Sequence, residues 1–239
     1  MKKISLHFRE LSYGYNEEIK QLRTNLLFSG SEKKVFMLTS TTEDEGKSFV
    51  SLQLARSLAA LHKNVLLIDA DLRKSVTSHL AEDPSAIDAG LAHYLTGQKG
   101  TDDVIYQTNE KGLFILFAGP IIPPNPSELL ANARMKQLIE TSKKVFDYII
   151  IDCPPLFVVD GLIIAPNCDG SMLVIEANKI SRKAVQKDIE ELRGTGCPFL
   201  GVVLNKVNYR RNKNYYYKKY GYRYGYSYGS DKKSKSSKK

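Results

Sequence analysis

Short apolar runs punctuate the chain, and each gives way to a polar residue. Val35-Phe36-Met37-Leu38, Val65-Leu66-Leu67-Ile68 and Tyr148-Ile149-Ile150-Ile151 are continuous rather than alternating, the pattern of strands covered on both faces of a parallel sheet. Leu113 to Ala118, Ser171 to Glu176 and Phe199 to Leu204 read as further strands. Between them the spacing turns helical. Asn16 to Phe28 carries Ile19, Leu22, Leu26 and Leu27 at helical intervals, and Ser48 to Leu61 carries Phe49, Leu52, Leu54, Ala55, Leu58 and Leu61. Ala89 to Leu95 predicts a short helix ended by Gly97. Gly119 to Pro126 predicts a rigid extended connector, after which Ser127 caps a long helix to about Val145, with Glu128 in the first turn where the dipole favours an acid. Ser181 to Arg193 is the last helix, stopped by Gly194-Thr195-Gly196. Strands and helices alternating at these lengths predict an α/β fold: a doubly wound, mostly parallel sheet with helices on both faces.

The first of these strands runs into Thr39-Ser40-Thr41-Thr42-Glu43-Asp44-Glu45-Gly46-Lys47-Ser48. Strand, polar loop, Gly-Lys-Ser and helix follow in the order a phosphate-binding loop (P-loop) requires. Backbone N–H groups and the helix dipole face an anion, Lys47 reaches terminal phosphates and the Ser48 hydroxyl can ligate Mg²⁺. Thr42, Glu43, Asp44, Glu45, Gly46, Lys47, Ser48 and Phe49 are therefore the candidate nucleotide-binding stretch. Thr41 replaces the usual first glycine, and the three acids that follow must point away from a nucleotide; Asp44 at least tolerates a left-handed backbone. Gly-Lys-Ser alone also suits a surface turn, and a lone Asp after an apolar run is commonly a cap. The second and third strands, however, end in Asp69-Ala70-Asp71 and in Asp152, so three strand ends deliver Lys47, Ser48, Asp69, Asp71 and Asp152 to one sheet edge.

Composition changes the picture at one end only. The chain's net charge is +9, but from Tyr209 onward eleven Lys and Arg stand against the single acid Asp231, so the basic charge is a tail property. Nine of the fourteen tyrosines lie in that same segment, interleaved with Lys, Arg and Gly and without an aliphatic residue, which predicts disorder. Such a tail suits single-stranded nucleic acid, an anionic membrane surface, or phosphorylation of tethered phenols, and composition leaves all three open. The expected division is an N-terminal helical segment over 1–30, a P-loop domain over 31–208 and the tail over 209–239. Cys153, Cys168 and Cys197 lack metal-ligand spacing and read as buried or partly buried thiols. No signal-peptide core or membrane span is legible, so the expected location is cytoplasmic.

Taken together, TSTTEDEGKS, LLIDADLRKS, YIIIDCPP, PPNPSELL and the tyrosine tail resemble the bacterial tyrosine kinases of Gram-positive capsule and exopolysaccharide systems, a branch of the P-loop MinD/ParA-like ATPases. The resemblance implies an ATP-dependent tyrosine kinase. Lys47 would bind phosphate, Ser48 with Asp71 and Asp152 would hold Mg²⁺, and Asp69 would lie near the attacking tyrosine. It implies autophosphorylation at Tyr215, Tyr216, Tyr217, Tyr220, Tyr222, Tyr224, Tyr226 and Tyr228. The family's subunit-contact stripe falls on Glu17, Lys20 and Arg23, with Lys20 where relatives have Arg, so the resemblance implies a ring-like homo-oligomer with a looser contact at Lys20. A membrane-embedded activator, the polysaccharide co-polymerase, would recruit the chain to the inner face of the membrane, and a cognate tyrosine phosphatase would reverse the modification. Nucleic acid is not expected. The rivals are a ParA/MinD-like positioning ATPase and a non-enzymatic protein that binds nucleic acid or membrane through its tail.

Overall fold

The computed structural model describes residues 1–207, and the tail with its eight expected acceptor tyrosines lies outside the described residues. The strands are β1 (Lys2–Ile4), β2 (Val35–Ser40), β3 (Val65–Asp69), β4 (Tyr106–Thr108), β5 (Leu113–Leu116), β6 (Tyr148–Asp152), β7 (Gly170–Glu176) and β8 (Phe199–Asn205). The α-helices are α1 (Tyr13–Leu27), α2 (Lys47–Ala59), α3 (Leu91–Leu95), α4 (Thr101–Val104), α5 (Pro126–Leu130), α6 (Ala133–Ser142), α7 (Asp160–Ile164) and α8 (Arg182–Gly194). One sheet contains all these strands in the order β1-β4-β5-β3-β6-β2-β7-β8. Every pairing is parallel except β4 with β5.

The continuous apolar runs have the burial they predict. Phe36 and Leu38 pack on one side of the sheet with Val50, Leu54 and Leu58 of α2 and Leu26 of α1. Val35 and Met37 pack on the other, with Met135, Leu138 and Ile139 of α6 and Leu192 of α8. Alternate residues of one strand thus feed two separate cores, because side chains alternate across the pleat while helices cover both faces. All three cysteines are buried free thiols.

Two departures from the sequence pattern bear on the site. The long helix expected from Ser127 to Val145 is two helices. Asn132 breaks it: its backbone is extended and its side chain accepts a hydrogen bond from Arg134 N at 3.1 Å, the geometry of a new N-cap. Ser127 is not a cap but lies inside α5, after Pro126 at the first helical position. The N-terminal segment, expected as helix alone, also contributes edge strand β1, aligned beside β4 from Lys2↔Tyr106 to Ile4↔Thr108. Strands this short carry too little periodicity to be read from sequence.

Candidate nucleotide site

The carboxyl ends of β2, β3 and β6 meet at one edge, and the loop leaving β2 is held from beneath. Glu45 is fully buried; its carboxylate accepts hydrogen bonds from Thr42 N at 2.8 Å and from Glu176 N, at the end of β7, at 3.1 Å. Asp44 adopts the left-handed backbone its residue type allows, with φ of 62°, and Gly46 follows at 87°. A Cβ on Gly46 would stand 2.2 Å from Asn205 Nδ2, which donates to Glu45 O at 2.9 Å. Glu43 turns outward and pairs with Lys74 at 2.5 Å. Of the three acids, one is a structural tie, one is ion-paired and Asp44 is exposed.

Lys47, the first residue of α2, is buried with its ammonium 3.1 Å from Asp71 Oδ2, 3.7 Å from Asp152 Oδ2 and 3.3 Å from Ser48 Oγ. Burial works against its charge, but Asp152, then Asp71 and Asp69, more than offset this and raise its pKa. Asp152 is pushed up to about 7 by burial, against the pull of Lys47. Its Oδ1 lies 3.2 Å from Ser51 Oγ, while Oδ2 is buried without a hydrogen-bond partner. Asp71 Oδ1 accepts from Lys74 N at 3.0 Å.

Asp69, expected beside an incoming hydroxyl, ends β3 at the same sheet edge. It is fully buried, and its oxygens are taken by Asp71 N at 3.0 Å, Ser75 Oγ at 2.6 Å and Thr77 Oγ1. Burial raises its pKa while Ser75 and Thr77 hold the rise in check. In this arrangement it ties down the segment from Asp71 to Thr77.

Above these groups lies a cavity of about 490 Å³, walled by Glu43, Asp44, Gly46, Lys47, Ser48, Phe49, Asp71, Arg73, Lys74, Val76, Pro154, Pro155, Phe157 and Val158. Thr42 and Glu45 of the predicted stretch are not on its wall, and Asp69 and Asp152 lie deeper. The residues fit a hard divalent cation: the Asp152 oxygen that lacks a hydrogen-bond partner, with Asp71 and Ser48, offers the oxygen donors such an ion takes. Among the described residues no three His, Cys, Asp or Glu side chains form a metal centre by themselves. Phosphate oxygens and waters would complete the shell, which is how Mg²⁺ is commonly held.

Sequence reasoning missed a triad beside the cavity. Arg73 donates to both oxygens of the fully buried Asp160, at 2.8 and 3.1 Å, and to Ser127 Oγ at 2.9 Å, while Ser127 donates to Asp160 at 2.5 Å. This explains the PPNPSELL segment physically: its serine joins α5 to α7 and to the loop after β3. Only Ser127 carried a sequence signal. The expected stripe on α1 is divided as well. Glu17 and Lys20 pair with each other at 2.7 Å on the surface, whereas Arg23 folds onto α2 and donates to Ser57 O at 2.8 Å.

The AAA domain family matches residues 39–193. Tyrosine-protein kinase CpsD of Streptococcus agalactiae is 47% identical over 193 residues, covering 80% of this chain and 83% of that protein. The chain belongs to the bacterial tyrosine-protein kinase family. The kinase domain of Escherichia coli tyrosine kinase ETK superposes with a TM-score of 0.74 at 27% identity, over 96% of this chain and 95% of that one. The septum site-determining protein MinD of Pyrococcus horikoshii, complexed with Mg-ADP, shares the fold, with a TM-score of 0.60 at 20% identity over 72% and 69% of the two chains. Membership confirms the resemblance carried by the strand-end motifs together with PPNPSELL and the tyrosine tail.

Proposed function

We propose that this chain transfers the γ-phosphoryl group of Mg-ATP to tyrosines of its own C-terminal cluster, Tyr215 to Tyr228, and thereby regulates capsular or exopolysaccharide synthesis and export. The observation that carries the reading is the convergence of Lys47 on Asp71 and Asp152 at the floor of an open cavity. Mg²⁺, held by Ser48, Asp71 and Asp152, would neutralise phosphate charge. The protein's share is placement and electrostatics, since phosphoryl transfer has a loose transition state. Lys47 neutralises phosphate oxygens, and the loop N–H groups from Asp44 to Ser48 orient them. Asp69 keeps Asp71 and Lys74 in position through the segment it anchors, and its carboxylate charge, which Asn would remove, orients the incoming hydroxyl and takes its proton late. A phenol of pKa about 10 surrenders its proton late, so no strong base is required.

The same reading assigns partners. Val76 and Phe157, on the cavity wall, are 45% and 62% exposed, an apolar rim that a membrane-embedded activator would cover while completing the site. No helix among the described residues is long and apolar enough to cross a membrane, which fits recruitment from the cytoplasm by such a partner. Of the expected stripe on α1, Glu17 and Lys20 pair at the surface and remain available to a neighbouring subunit in a homo-oligomer, while Arg23 is engaged by Ser57. A cognate phosphatase would reset the tail. The test is incubation of the full chain with Mg-ATP, with and without a candidate activator, followed by mapping of phosphotyrosine. Modified tail tyrosines that disappear with Lys47→Met are expected, and a tail left unmodified under both conditions rejects the proposal.

A further inference from the structure

Five tyrosines lie among the described residues, and four are shielded: Tyr94 and Tyr106 are buried, Tyr15 and Tyr148 half-buried. Tyr13 differs, with 75% of its surface exposed. It is the first residue of α1, directly after the Ser12 cap. Two residues on, the Tyr15 ring packs edge-on against Phe49 of the cavity wall, with centroids 5.4 Å apart. Successive helical residues are rotated by about 100°, so Tyr13 projects from the side of the helix opposite that contact. Tyr13, Glu17 and Lys20 follow i, i+4, i+7 spacing and therefore share one face. The Tyr15 contact and the Arg23 hydrogen bonds to Ser57 fix α1 on α2. For Tyr13 to reach the nucleotide of its own chain, the first turn would have to unwind from Phe49.

We infer that Tyr13 is a second phosphoacceptor, outside the tail, and that the phosphoryl group comes from the nucleotide site of another copy of this chain. The inference rests on the kinase reading above. In the step, Tyr13 Oη forms a bond to the γ-phosphorus of ATP. The bond from that phosphorus to the bridging oxygen breaks, ADP leaves with the electron pair, and the phenolic proton passes to solvent. The product places about −1.5 to −2 charges one helical turn from Glu17. Like charges at i, i+4 repel, so the modification weakens the Glu17 and Lys20 face for any subunit docked there. Phosphate on Tyr13 thus reports on subunit contact and then loosens it.

The experiment mixes unlabelled wild-type chain with isotopically heavy Lys47→Met chain in Mg-ATP and maps phosphopeptides of each. The expected result is phosphate on the heavy-chain peptide that contains Tyr13, with none on that peptide when the heavy chain also carries Tyr13→Phe. Phosphorylated tails with an unmodified Tyr13 in both chains overturn the inference and leave the kinase reading intact. Phosphate on Tyr13 of the light chain alone overturns the transfer between copies. Absence of phosphotyrosine anywhere rejects the kinase reading, and this inference with it.

Discussion

Glu45 gives the sharpest test of how the loop is built, because two accounts of it predict opposite signs. Were it a surface acid near the phosphates, as three consecutive acids in a phosphate loop suggest, removing its charge would tighten nucleotide binding. The structure instead gives it no exposed surface and two backbone donors, Thr42 N and Glu176 N. Hydrogen bonds to a charged group contribute roughly 1.5–3 kcal/mol each, and a buried donor left unmatched costs about 1–3 kcal/mol. Glu45→Ala should therefore destabilise the fold by about 3–5 kcal/mol. In a domain of this size about 1 kcal/mol shifts Tm by roughly 2–4 °C, so a fall of the order of 10 °C is expected. Glu45→Gln keeps one acceptor but turns an NH₂ group toward a second donor, and should lose about half as much. Urea unfolding measures the stability, and titration with a non-hydrolysable ATP analogue at a temperature where both proteins are folded measures binding. Binding should weaken, because the loop is no longer held in place. An alanine variant as stable as the wild type, or one that binds nucleotide more tightly, refutes the reasoning.

Gly46→Ala forces a side chain to φ of 87° and against Asn205, so nucleotide binding should fall at least tenfold; an unchanged affinity by calorimetry would show that the loop can move aside. Asp152→Asn should raise the Tm of the nucleotide-free protein. Its folded pKa, about 7, lies above the unfolded value near 3.9, so ionisation costs stability progressively as pH rises between those values. The gain should thus be larger at pH 8 than at pH 5, and the variant should lose Mg²⁺-dependent stabilisation by ATP; a pH-independent gain counts against a buried, strained carboxylate. Asp69→Asn retains an acceptor for Asp71 N, while Ser75 and Thr77 can reverse their hydrogen bonds. It should fold, bind Mg-ATP within a few-fold of the wild type and lose tyrosine phosphorylation, whereas full activity in a phosphotyrosine blot would remove Asp69 from the mechanism.

The parts of this fold that sequence exposes are those with a repeating local cause. β2, β3 and β6 are legible because a strand covered on both faces must be apolar throughout, and α2 because a phosphate loop that ends in Gly-Lys-Ser opens a helix. Asp44 was legible for the same reason, since the loop needs a left-handed residue and Asp tolerates one. The features hidden from sequence depend on partners distant along the chain. Asp160 is paired with Arg73, 87 residues away, and nothing in its own neighbourhood marks it. Arg23 shows helical spacing with Glu17 and Lys20, yet spacing does not say that Ser57 will take its guanidinium. The helix break at Asn132 was hidden by apolar positions that stay in phase on both sides of it, with only one cap residue to betray the change.

The buried charges explain why the site is both recognisable and costly. Three aspartates at the ends of β3 and β6 face one ammonium, Lys47, so full ionisation leaves two negative charges in excess beneath the cavity floor. Burial resolves part of this by driving the Asp152 carboxyl toward its protonated form. A divalent cation resolves it differently, by matching the excess while the carboxylates remain ionised, and the triphosphate then adds the negative charge that Lys47 and the loop N–H groups are placed to meet. Such a cluster is a poor choice for stability alone, because well-packed apolar residues in the same volume would stabilise the empty fold more. On the proposed kinase reading, its presence at these strand ends reflects a protein that spends much of its time with cation and nucleotide together, the state in which a tyrosine from the tail, or Tyr13 of another copy, would meet the γ-phosphate.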